Sequence, residues 1–148
     1  MKKIFFYRQD NPHGYFSNFW PAPIGLEGKI WPTSEHYYQA QKFHDPEMQE
    51  YIRISSSPSD SAQRGRDRAF PLRPDWEEVK DGVMYRALEA KFTQHPDLRE
   101  KLLETQEAFL VEHTRNDAYW ADGGDGSGQN KLGYLLMRLR DALRNGES

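Results

Sequence analysis

The chain of 148 residues contains no cysteine. That removes disulfides, thiolate-ligated zinc and a thiolate nucleophile together. Long apolar runs are missing too: nothing approaches the length of a membrane span. Neither sign of charge dominates, because 20 Lys and Arg stand against 23 Asp and Glu, a formal net charge of -3. Such a balance argues against a protein held on duplex nucleic acid mainly by counterion release, although a local basic patch is compatible with it. The opening "MKKIFFYRQDN" has two lysines and a brief apolar run, but polar residues follow at once. A secretory signal needs a longer apolar core and a small-residue cleavage site, so a cytoplasmic protein without a membrane partner is expected. Repeats, low-complexity tracts and linkers are also lacking, and residues 1–148 are expected to form a single compact domain with a real core.

What the chain does have is aromatic side chains, eight Phe, eight Tyr and four Trp, with 29% charged residues for a solvated surface. "KKIFFYRQ" reads as a short strand, and "PAPIGLEGKIWPT" as a small hairpin around Gly25 and Gly28. After Pro32 the signals turn helical. Thr33 or Ser34 is placed to cap a helix running to about His44, and Asp45 with Pro46 to start another. Ser57, Pro58 and Asp60 repeat that logic. The longest helix is expected from about Asp75 to Gln94, and Pro96 opens the next. Phe109 to Val111 is ambiguous between strand and helix. A glycine loop, "ADGGDGSGQN", leads into "KLGYLLMRLRDAL", whose leucines fall at helical spacing. The expected class is mainly α (α+β): a helical domain with a small antiparallel β-sheet near its N-terminus.

Four segments hold candidate chemistry. In "WPTSEHYYQAQKF", Glu35, Gln39 and Lys42 fall in one narrow sector of a helix, bordered by Tyr38. A solvated stripe with an ordinary Glu35–Gln39 pair explains them as well as a site does, and Trp31 and Tyr38, able to wall and dry a pocket, tilt toward the site. Lys91 projects into the apolar face of the long helix, where a lysine snorkels, pairs, or becomes an uncharged amine fit for nucleophilic attack on a sugar carbonyl. Arg64, Arg66, Arg68 and Arg73 cluster around Gly65 and suit phosphate oxygens, with pairing to Asp60 and Asp67 an equal alternative. The glycine loop, including Gly124, Gly126 and Asn130, offers backbone N–H groups before a helix N-terminus, where an anion is favoured. It fits neither the dinucleotide fingerprint nor the P-loop, and a plain structural loop is the competing reading. Asp117, Tyr119 and Trp120 just upstream suit a stacked, hydrogen-bonded base. His36, His95 and His113 lack metal-ligand spacing, and Glu112, His113 and Asp117 make a poor ligand set, so no metal is expected.

Together, "GYFSNFWPAPI", "WPTSEHYYQAQKF", "RGRDRAFPLRPDW", "VMYRALEAKF" and "LVEHTRNDAYWADGGDGSGQNKLGYLLMRLR" resemble the YbiA-like family, also called NADAR, especially its bacterial branch. The resemblance runs from Phe16 to Arg140. It implies a mainly helical fold and N-glycosidase activity without a cofactor. The substrates it implies are early riboflavin-pathway ribosylaminopyrimidine phosphates, or ADP-ribosylated guanine in nucleic acid, including single-stranded DNA. By the same resemblance Glu35 is the catalytic acid of the family pattern, and Trp76, Asp117 and Trp120 match its other marked positions. Ala121 departs from the glycine expected after that tryptophan.

On this reading Glu35 serves the sugar side of the scissile bond and Asp117 binds or protonates the base. Trp76 or Trp120 stacks on the heterocycle, with Tyr38 beside it, and Arg64, Arg66, Arg68 and the glycine loop hold phosphate. A covalent variant passes through a lysine, Lys42 by position or Lys91 by its apolar surroundings. The rival classes are a module that binds ADP-ribose or a nucleotide without cleaving it, and an interaction protein whose aromatics are all core.

Overall fold

The computed structural model describes residues 2–146. In chain order its elements are β1 (Lys3–Phe6), a 3₁₀ turn (Gly14–Phe16), β2 (Ile24–Leu26), β3 (Lys29–Trp31), α1 (Ser34–Ala40), α2 (Pro46–Arg53), α3 (Pro58–Gly65), α4 (Trp76–Gln94), α5 (Pro96–Glu104), β4 (Phe109–Glu112) and α6 (Lys131–Arg144). The protein is thus mainly helical, with two small sheets. No helix among the described residues is long and apolar enough to cross a membrane. The chain divides into two compact units, residues 21–91, and residues 2–20 together with 92–146.

The central unit starts with the antiparallel hairpin β2–β3, in register Ile24↔Trp31, turning through Glu27 and Gly28, both at positive φ. Three helices follow, each opened by its own cap. The Thr33 hydroxyl accepts from His36 N, the Asp45 carboxylate from Glu47 N, and the Ser57 hydroxyl from Asp60 N, with Pro46 and Pro58 in the first turns of α2 and α3. Ile24, Trp31, Tyr37, Ala40, Phe43, Met48, Ile52, Ala87 and Ala90 form the core of this unit. Helix α1 stops at Ala40, short of the expected His44. The backbone tightens there, with Phe43 N bonded to Ala40 O at 3.2 Å, so that the Phe43 ring turns into the core. The Lys42 carbonyl, released from the helix, accepts from Arg73 N at 2.8 Å.

In the other unit β1 pairs in parallel with β4, in register Ile4↔Leu110 and Phe6↔Glu112. Phe109–Val111 is therefore a strand, and the N-terminal strand joins it rather than the hairpin. Sequence distance conceals that pairing, because no local turn joins the two strands. Helix α6 lies against β4 with its backbone unusually close: a Cβ on Gly133 would sit 2.1 Å from Leu110 O. Buried Leu132, Leu136, Leu139 and Leu143 make the inner face of α6, as their spacing predicts.

Candidate functional site

In the central unit the chemistry gathers at the end of α1. Thr33 fixes where that helix begins and hence which way Glu35 and Gln39, four residues apart, project. Gln39 Nε2 donates to Glu35 Oε2 at 2.7 Å. Lys42 lies beyond the helix end, yet it stays within electrostatic reach of Glu35, and its Nζ sits 5.8 Å from the centroid of the Tyr38 ring. Tyr38 packs in turn on Trp76, the first residue of α4, with ring centroids 5.2 Å apart. Both rings are buried and form an apolar wall, with Tyr38 toward the amine.

This wall has an electrostatic consequence. Burial pulls the Lys42 pKa down to about 8; Glu35 opposes the fall, while Arg68, Arg66 and Lys80 add to it. A carboxylate and an easily deprotonated amine therefore stand together amid further positive charge. Lys80, which the sequence reading passed over, belongs to this group from α4, and it also pairs with Glu77 at 2.7 Å. Helical spacing does not carry across the irregular segment between α3 and α4, so the sequence pattern held no signal for it.

The arginines separate into two kinds. Arg64 is committed to the fold: it donates to Tyr51 O, pairs with Asp60 at 3.3 Å and lies 4.2 Å over the Tyr51 ring. Arg73 is likewise held by Asp75 at 2.7 Å. Arg66 and Arg68 are exposed and act on Lys42, although Arg68 also donates to Gly65 O at 3.0 Å. They are the guanidinium groups of the patch that stand nearest in charge to the carboxylate–amine pair. Lys91, by contrast, is 0% exposed, and burial alone lowers its pKa to about 7. It has the lowered pKa expected for an apolar helix face, but its amine does not reach solvent.

The remaining sequence-derived positions lie in the other unit, where their visible work is backbone architecture. Asp117 Oδ1 accepts from Tyr119 N and Trp120 N, both at 2.8 Å, closing a turn that leaves Trp120 half-buried. The Tyr119 and Trp120 rings meet edge to face at 4.9 Å. Gly124 and Gly126 both have positive φ, and at Gly124 a Cβ would strike Arg115 at 2.8 Å. Asn130, itself left-handed, clamps β4 by donating to Leu110 O and accepting from Glu112 N, each at 3.0 Å. Ala121, the departure from the expected glycine, is wholly buried, and its carbonyl accepts from Asn130 N at 3.0 Å.

The loop's hub is a residue that the sequence did not single out. Asp122, 5% exposed, accepts from Thr114 N at 3.1 Å and Gly124 N at 2.8 Å, and its other oxygen lies 2.7 Å from His113 Nδ1. Burial pushes the Asp122 carboxyl up, but His113 and the two amides bring it below the usual carboxylate range. No group of three or more His, Asp or Glu side chains able to hold a metal occurs among the described residues.

Comparison with known proteins shows the family and the fold. The NADAR domain matches residues 5–144. N-glycosidase YbiA of Escherichia coli is 59% identical over 95% of this chain and 88% of its own length. An N-glycosidase of Nostoc punctiforme is 41% identical over 96% of this chain and 93% of its own. A riboflavin biosynthesis protein of Vibrio vulnificus is also 41% identical over 95% of this chain, which spans 38% of that longer protein. The NMR structure of E. coli YbiA superposes with a TM-score of 0.91 at 57% identity, covering 99% of this chain and 87% of that one. The chain belongs to the NADAR family.

Proposed function

We propose that this hydrolase of N-glycosyl bonds cleaves the C–N bond between a ribose bearing phosphate and a heterocyclic base, with ribosylaminopyrimidine phosphates as its substrates. The observation that carries the reading is the Glu35–Lys42 pair, set against the Tyr38–Trp76 wall and flanked by Arg66 and Arg68. Breaking a ribosyl C–N bond leaves positive charge on C1 and its ring oxygen and sends the bonding electrons to the base. A carboxylate stabilises the first and can take a proton from the attacking water. That water gives its oxygen to C1, and the base leaves with a proton. We assign the sugar side to Glu35 and phosphate binding to Arg66 and Arg68. Arg64, given to the same patch by sequence, supports it through α3.

The names of the riboflavin biosynthesis relatives support the pyrimidine phosphate as substrate. ADP-ribosylated guanine is the second substrate reading and rests on the family resemblance alone. The same resemblance supports giving the heterocycle to Asp117 and Trp120. If the sugar opens to a C1 imine, the amine that attacks it is Lys42. Lys42 is a half-buried residue with a pKa of about 8, whereas Lys91 is sealed in the core.

The test is release of base from a ribosylaminopyrimidine phosphate and from a guanine-ADP-ribosylated oligonucleotide. Release from the first, lost in a folded Glu35→Gln variant, supports the reading. Preference for the oligonucleotide transfers the substrate assignment to ADP-ribosylguanine. No release from either, with ADP-ribose still raising the melting temperature, describes a binding module instead.

A further inference from the structure

Gln39 is 7% exposed, and the two ends of its amide have very different surroundings. Nε2 donates to Glu35 Oε2 at 2.7 Å, while Oε1 is buried without a hydrogen-bond partner. A buried carbonyl oxygen left unsatisfied costs about 1–3 kcal/mol. Turning the amide over would exchange its two ends with almost no change of shape. It would, however, set Oε1 against a Glu35 oxygen, and two acceptors tolerate that contact only when the carboxyl carries a proton. An ionised Glu35 admits only the orientation present, whereas a protonated one admits both. A second observation comes from α3. A Cβ built on Gly65 would fall 2.2 Å from Gln39 Oε1 and 3.0 Å from its amide carbon. Gly65 is an ordinary helical residue without positive φ, so its lack of a side chain serves space and not backbone conformation.

We propose that Gln39 is a positioning residue for Glu35: its amide, seated against the bare backbone of Gly65, holds that carboxylate ionised and aimed, as a base or charge stabiliser and not as the proton donor. This rests on the glycosidase reading for its catalytic consequence, but not for its geometry. An ordinary exposed pair at this spacing contributes a few tenths of a kcal/mol; a buried amide with one end sacrificed is a different arrangement. The charged group that acts on Glu35 is Lys42 after α1, and Lys42 in turn feels Arg66 and Arg68 after α3 and Lys80 on α4. On α3 itself, Asp60 and Arg64 pair with one another.

A hydrogen bond to the ionised form favours that form. Removing it raises the pH at which Glu35 takes up a proton, so the acid limb of the kcat/KM profile moves upward. The experiment follows the Glu35 carboxyl by ¹³C NMR titration, alongside the pH–rate profile, in wild type, Gln39→Met and Gln39→Glu, with folding checked by circular dichroism. In Gln39→Met both the Glu35 midpoint and the acid limb are expected to rise by about one unit, with kcat reduced about tenfold and KM little changed. Gln39→Glu moves both further, because two adjacent carboxyls share a proton. Should the Met variant fail to fold, Gln39→Asn withdraws the N–H while keeping an amide. A folded variant in which the Glu35 midpoint stays at its wild-type value overturns the proposal. A midpoint that moves in a protein releasing no base overturns the glycosidase reading and leaves the positioning role standing.

Discussion

Lys42 stands where two opposing demands meet at a single residue. Its surroundings disfavour the ammonium, and the Glu35 carboxylate only partly compensates. Between about 8 and 10.5 the unfolded chain holds a proton at this position that the folded chain does not, so stability rises with pH through that window. Below it, the folded protein carries the full cost of a desolvated charge. Lys42→Met is therefore expected to raise the melting temperature at pH 7, with the gain shrinking toward pH 10.5, while reducing turnover. Thermal denaturation at the two pH values checks the first part and base release the second. An equal gain at both pH values contradicts the assigned cause.

His36 behaves in the opposite pH range. Burial lowers its pKa below 6.5, outweighing the Ser55 carbonyl and Asp60, which favour the charged ring. Its Nδ1 meets the Thr33 hydroxyl at 2.8 Å and its Nε2 the Ser55 carbonyl at 3.2 Å, an arrangement suited to the neutral ring with its proton on Nε2. As pH falls below 6.5 the unfolded chain gains a proton first, and stability declines. Urea unfolding of His36→Gln between pH 7 and 5 is expected to show a flatter decline than wild type. At the residue scale helical spacing gave the Glu35–Gln39 contact, whereas Lys42 lies past the helix end and comes within electrostatic reach of Glu35 through the turn that follows. The sequence offered the Arg64–Asp60 pair as one of two readings, but not the contact of Arg64 with Tyr51 or the complete sealing of Lys91, which depend on partners more distant in the chain.

The helices are the elements that local chemistry writes most clearly. Thr33, Asp45 and Ser57 cap where a short polar side chain precedes a helical segment, and Pro46, Pro58 and Pro96 open helices where a missing N–H costs nothing. The end of α1 was not legible, because tertiary contacts set it: Phe43 enters the core, and Arg73 takes the Lys42 carbonyl. The β1–β4 pairing was hidden for the same reason. Its support comes from α6, whose backbone approaches β4 at Gly133 with Asn130 clamping the strand beside it. Gly133→Ala sets a methyl against a backbone oxygen that cannot step aside, and the expected cost is about 1–3 kcal/mol in urea unfolding. A change within a few tenths of a kcal/mol contradicts the close approach.

Across the whole molecule, the charge balance is compatible with the small phosphorylated substrate proposed above. A formal charge of -3 gives no general attraction for a long polyanion, while Arg66 and Arg68 concentrate positive charge beside the Glu35–Lys42 pair. The order of segments along the chain made the family legible, since the NADAR match covers residues 5–144. The work of Asp122 was not legible: a glycine loop's stability lies in which carboxylate gathers its amides, and spacing alone does not reveal that.

The most direct measurement is base release from a ribosylaminopyrimidine phosphate by wild type and by Glu35→Gln, with folding of both verified. Hydrolysis centred on Glu35 predicts release by the wild type and a loss of about 10²–10⁴-fold in the variant at nearly unchanged melting temperature. Equal release by the two proteins would contradict it.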